Sequence, residues 1–162
     1  MQLNRDGQTL WSGLGTMLSR SKAGAARSTR QRKHSSTQEP SPQETVTVHA
    51  AADTGRRYAR ISGDYNPHHL WKWTAMPVGF LRPIAHGMWT LSRALGIALA
   101  DADSGVAAAV QFKRPFLMPG KAAFVTDQLS AARDRVPLSA QCLATDTPLL
   151  RGEVWRSDDD RR

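Results

Sequence analysis

The sequence predicts an α+β domain in which an antiparallel sheet wraps around one central, buried helix. Two observations carry that expectation. The stretch "RPIAHGMWTLSRALGIALADAD", from Arg82, is apolar at Ile84, Met88, Leu91, Leu95, Ala98 and Leu99, at mostly three- and four-residue spacing. Ala, Gly and Trp fill much of the rest, and a helix apolar on most sides belongs inside something. After it come strand-like runs only, broken by short turn signals, which is the pattern of an antiparallel meander.

The chain has 162 residues, 40% apolar and 22% charged, enough for one ordinary domain. Residues 6–20, "DGQTLWSGLGTMLSR", start on the hairpin signal Asp6-Gly7 and continue as an apolar strand. The stretch from Asp146, "DTPLLRGEVWR", runs likewise through turn, apolar strand, glycine, strand and arginine. This weak echo reads residues 1–19 as a possible remnant strand of an upstream repeat. Residues 20–44 are rich in Ser, Arg, Gln and Pro without apolar periodicity, and read as a disordered basic linker.

The formal net charge is +8, and residues 1–44 carry half of it with seven Lys/Arg against three Asp/Glu. Six basic residues and no acidic one lie between Arg20 and Lys33. The run could touch nucleic acid or acidic lipid, but it lacks the interleaved aromatics of a single-strand binder, and a solvated linker is the plainer reading. A transit peptide would share this composition. No apolar run approaches the roughly 20 residues of a membrane span, and no apolar signal follows Met1. One cysteine, Cys142, fits a reducing, cytoplasmic setting and reads as a small core residue.

From residue 45 the chain becomes domain-like. "TVTVHA" alternates as a strand, and residues 51–61 form a short helix with Asp53 or Thr54 near its start. Pro83 suits the first turn of the central helix. Strands are expected over 106–112, 122–129, 137–144 and 148–155, with the prolines of "KRPFLMPGK" marking a bend or an edge.

The residues with chemistry to offer begin at Ser62 with "SGDYNPHH". Asp64 and His69 are five positions apart, and Pro67 stiffens the loop between them. A carboxylate and an imidazole sharing a water can move a proton either way near neutral pH; alone, the same residues also make an ordinary turn. Gly87 stands at the helix start, where backbone N–H groups lack partners and the macrodipole is positive. Such an N–H can stabilise an oxygen that turns negative, an effect worth about 3 kcal/mol of barrier. Gly87 could equally serve tight packing of the helix on the sheet.

Together "YARISGDYNPHHL", "GFLRPIAHGMW" and "VQFKRPFLMPG", in that order over about residues 55–125, resemble the MaoC-like dehydratases, which include the (R)-specific, type 2 enoyl-CoA hydratases. Gly63, Asp64, Asn66, Pro67 and His69 match the family signature, and the gap from His69 to His86 matches its spacing. His68 replaces the aliphatic residue expected before the catalytic histidine. The resemblance implies a hot-dog fold over residues 45–162 and reversible hydration of trans-2-enoyl thioesters to 3-hydroxyacyl thioesters. Asp64 and His69 would hold the water, and the Gly87 N–H would receive the thioester oxygen. No metal or redox cofactor is implied; coenzyme A or acyl carrier protein comes as part of the substrate.

Asn66 is expected to fix the loop and orient His69. Trp71, Trp73 and Met76 lie in the segment that closes over the acyl chain in relatives, where a more polar start is usual. His86 matches a family position near the substrate without a catalytic role and reads as structural. Lys113 and Arg114 could meet coenzyme A phosphates or simply form a solvated edge, and Trp89 reads as core. Some relatives carry two hot-dog repeats, so this chain could be the C-terminal half of such a protein. A lone repeat should form a homodimer or pair with another hot-dog domain. The rival reading is a non-catalytic acyl-thioester-binding or assembly subunit; nucleic acid is not an expected partner.

Overall fold

Alternating burial along three neighbouring strands builds the floor of the domain. In Gly120–Thr126 the side chains of Ala122, Phe124 and Thr126 turn inward. In Arg135–Cys142 they are Val136, Leu138 and Ala140. Thr147–Arg156 contributes Leu149, Leu150 and Val154. The two adjacent leucines both reach the core because the register slips between Ala140 and Gln141, giving this strand one extra residue.

This computed structural model describes residues 2–5, 8–16, 44–100, 105–130 and 132–157. The chain divides into two units, Met1–Gln38 and Glu39–Arg162. The first contains a hairpin of β1 (Gln2–Arg5) and β2 (Gln8–Ser12), antiparallel, with Arg5 opposite Gln8. Asp6, Gly7 and residues 17–43, which hold the end of the 6–20 segment and most of the basic linker, lie outside the described residues.

In the second unit the elements are β3 (Glu44–Ala50), α1 (Thr54–Ser62), α2 (Lys72–Ala75), α3 (Gly87–Ala98), β4 (Val106–Phe112), β5 (Gly120–Thr126), β6 (Arg135–Cys142) and β7 (Thr147–Arg156). Short 3-10 turns occupy Pro67–His69 and Met76–Val78. The sheet order is β3-β5-β6-β7-β4, antiparallel throughout, and α3 packs Trp89, Leu91, Ala94 and Ala98 against it. Small residues at 94 and 98 let the sheet close on the helix. This is the hot-dog arrangement, and the expected α+β class holds.

Three local expectations change. The chain after α3 is not a simple meander, because β4 crosses to the far edge and pairs with β7. The link between β4 and β5, with Pro115 and Pro119, cannot make a tight hairpin. It runs beside residues 83–85 instead: Ala85 N–H donates to Phe116 O at 2.8 Å, and Met118 N–H to Pro83 O at 2.8 Å. Pro83 therefore lies in an extended segment, and α3 starts four residues later at Gly87. Met88, assigned to the buried stripe, is instead exposed, since a helix starting at Gly87 turns residues 89, 90, 91, 94 and 98 inward.

Candidate active site

Helix α1 sets the position of the carboxylate. It ends at Gly63, whose φ of 72° reverses the chain while its N–H caps Ala59 O at 2.9 Å. Asp64 follows at once, its N–H bonded to Ser62 Oγ at 3.2 Å. Asp64 Oδ1 accepts the backbone N–H of Asn66 at 3.1 Å and its side-chain amide at 2.6 Å. Asn66 thus orients Asp64 directly, and reaches His69 only through its carbonyl, which accepts the His69 N–H at 3.0 Å.

Pro67 enters the 3-10 turn that carries His69 into the interior. The His69 ring is buried, and Nδ1 lies 2.8 Å from the carbonyl oxygen of Ile84. A carbonyl only accepts, so in the neutral ring Nδ1 bears the hydrogen and Nε2 keeps its lone pair. That Nε2 is 3.8 Å from Asp64 Oδ2, too far for a direct hydrogen bond. The carboxylate is 40% exposed, so the pair opens to solvent on the Asp64 side.

Burial raises the Asp64 carboxyl, but the Asn66 hydrogen bonds and the two imidazoles outweigh it and hold it below its ordinary value of 3.8. Burial is the largest influence on His69 and lowers it below 6.5; His86 and His68 add to that, against the Ile84 carbonyl and Asp64. Near neutral pH both groups therefore present lone pairs.

His86 is buried beside them, its ring stacked on His69 at 3.7 Å between centroids. Gly87, the next residue, opens α3, and a Cβ there would approach the Phe112 ring to 3.2 Å. Asp64, His69 and His86 bring potential metal-ligand atoms within 4.8 Å of one another. His86 Nε2, however, lies 2.9 Å from the Asp64 backbone carbonyl and must carry a hydrogen. His86 Nε2 therefore offers no lone pair to the cluster, and the facing lone pairs of Asp64 and His69 suit a water better than a metal ion.

Trp71, Trp73 and Met76 are exposed, Trp71 beneath the Arg56 guanidinium at 3.9 Å. Trp89 is buried in the core, and Cys142 packs partly buried against it. Lys113 Nζ donates to Gln111 Oε1, and Arg114 is exposed. Two supports escaped the sequence reading. Thr74 Oγ1 donates to Pro67 O at 2.7 Å, tying α2 to the turn that carries His69. A Cβ on Gly55 would lie 1.9 Å from the His69 carbonyl oxygen, so α1 passes directly against the histidine's backbone. A glycine early in a predicted helix was the available signal.

Within this hot-dog domain a carboxylate and an imidazole converge beside the start of the central helix. Residues 30–120 match the family model for the MaoC like domain, and the chain belongs to that family. It is 40% identical over 67 residues to 3-hydroxyacyl-thioester dehydratase X of Mycobacterium tuberculosis, a match covering 41% of this chain and 24% of that protein. The crystal structure of HtdX from M. tuberculosis superposes with a TM-score of 0.59 at 29% identity, covering 69% of this chain and 47% of the other. The R-hydratase PhaJ1 from Pseudomonas aeruginosa gives 0.58 at 22% identity, a likeness of fold, covering 75% and 84%. The chain thus spans about a quarter of the curated relative it matches and about half of the HtdX structure.

Proposed function

We propose that this protein catalyses the reversible hydration of trans-2-enoyl thioesters to 3-hydroxyacyl thioesters. One observation carries the reading: Asp64 Oδ2 and His69 Nε2, both bearing lone pairs, face each other across 3.8 Å. A water donating a hydrogen to each, at about 2.8 Å, bridges that gap with its own lone pairs turned outward. Its oxygen adds to C3 as one hydrogen passes to the pair. A proton returns to C2, and the double bond becomes single, so water is added without loss of any atom. His69, the more basic group of the two in water, is the better acceptor of the proton.

During the addition the thioester oxygen gains negative charge. The N–H of Gly87, in the first turn of α3, is the donor assigned to it. The acyl group is carried by coenzyme A or acyl carrier protein, and the exposed Trp71, Trp73 and Met76 are candidates to cover its chain. The named activity of the M. tuberculosis dehydratase supports the same chemistry.

The test is hydration of crotonyl-CoA, followed by loss of enoyl-thioester absorbance. Asp64→Asn and His69→Ala should each lower kcat about a hundredfold or more while the proteins stay folded. A folded wild type inert toward short and long enoyl thioesters on both carriers would overturn the proposal and favour a binding or assembly subunit.

A further inference from the structure

His86 holds a position that packing alone does not explain. Its ring is only 3% exposed, yet Nδ1 is buried without a hydrogen-bond partner among the described residues. The hydrogen sits on Nε2, which donates to the carbonyl of Asp64 at 2.9 Å. An apolar side chain would fill the same space without leaving a nitrogen unpaired, so burial of this ring carries a desolvation cost. What the ring contributes in return is contact with both reacting groups. Its edge fixes the peptide that bears the carboxylate, and its face lies on His69 at 3.7 Å with a 24° tilt.

We propose that His86 is the positioning residue of the site, locking the Asp64 peptide and the His69 ring into one geometry. The Ile84 carbonyl stops rotation of His69 about its own plane, and the His86 face stops the ring from tipping. The Asn66 amide orients the Asp64 side chain, while His86 holds the backbone beneath it. Because His86 also precedes Gly87, the same residue registers the loop against the start of α3. Misplacing such a pair by about 1 Å can cost on the order of a hundredfold in rate.

Four titratable groups surround the ring: Tyr58 from α1 at 5.0 Å between centroids, Asp64 from the loop, His69 stacked on it, and His68 at 4.1 Å beyond His69. Replacing His86 removes a neighbour that disfavours protonation of His69.

The inference rests on the hydration reading for its kinetic arm only. His86→Gln keeps an N–H within reach of the Asp64 carbonyl, whereas His86→Leu keeps apolar volume and loses the donor. With both folded, by near-ultraviolet circular dichroism, kcat should fall about a hundredfold in His86→Leu and only about tenfold in His86→Gln. KM should stay within about threefold in both. Wild-type kcat in His86→Leu, or equal losses in the two variants, would overturn the assignment.

The second arm needs no substrate. Titration of the His69 ring by NMR should show its pKa rising in His86→Gln, since a neighbour that lowers it is gone. An unchanged titration would overturn the assignment whether or not the wild type hydrates any thioester. A shifted titration beside an inert wild type would keep His86's role and discard only the reaction.

Discussion

At His69, burial and hydrogen bonding act in opposite senses, and burial prevails. The imidazole is held below 6.5, so the free base persists into mildly acidic solution. Hydration by this base should stay level on the alkaline side of pH 6.5 and fall as pH drops through the lowered His69 value. Stability should follow the same direction. Just below pH 6.5 the unfolded chain takes up a proton at this position that the folded chain resists, so unfolding becomes easier as pH falls. Asp64 adds a second, more acidic window: its contribution is present above 3.8 and is lost as pH falls through its lowered folded value. Urea unfolding across pH, with wild type beside His69→Gln, separates the two. The variant should lose the decline just below pH 6.5; a wild type with no such decline would sink the argument. The spacing of Asp64, Asn66, Pro67 and His69 was readable directly. The stacking of His86 on His69 was not, because the two lie 17 positions apart with two short helical segments between them, and only the folded loop brings the rings together.

At the scale of elements, the contact between α1 and the His69 turn turns on Gly55. A methyl group there would occupy the space of the His69 carbonyl oxygen, so the helix must shift or the turn must move. Gly55→Ala should lower stability by about 1–3 kcal/mol, as overpacked sites do. It should also reduce kcat, because what moves is the backbone of the base. Gly96 is the natural contrast. It lies in the exposed face of α3, with open space around its Cα, and Gly96→Ala should stabilise by about 0.5–1 kcal/mol through helix propensity. Thermal melts of the two variants check both signs; a neutral Gly55→Ala would mean that α1 does not clamp the turn. The strands were legible because burial on one face enforces a period of two, and the central helix because its apolar residues recur at helical spacing. The path of β4 to the far edge was not, since it depends on hydrogen bonds between residues 83–85 and 116–118 that no local pattern announces. The start of α3 was misread for a related reason: Pro83 suits a first turn, but here its carbonyl serves Met118.

At the scale of the whole molecule, the second unit leaves much apolar surface uncovered. Trp73, Leu81, Met76, Val78 and Phe112 are all at least half exposed. The strand β4 is paired only through β7 among the described strands, and its burial shows no inward-facing row. An exposed, apolar sheet edge invites pairing, and monomeric proteins seldom leave one open. The open β4 edge should therefore pair with a second copy of this chain. Sedimentation equilibrium at micromolar concentration should give twice the 17.8 kDa chain mass. Phe112→Lys on β4 should shift that equilibrium toward monomer, since a charge on an edge strand opposes pairing. A soluble, folded wild-type monomer would count against self-pairing. Activity in that monomer would further mean that Asp64, His69 and Gly87 need nothing from a second unit.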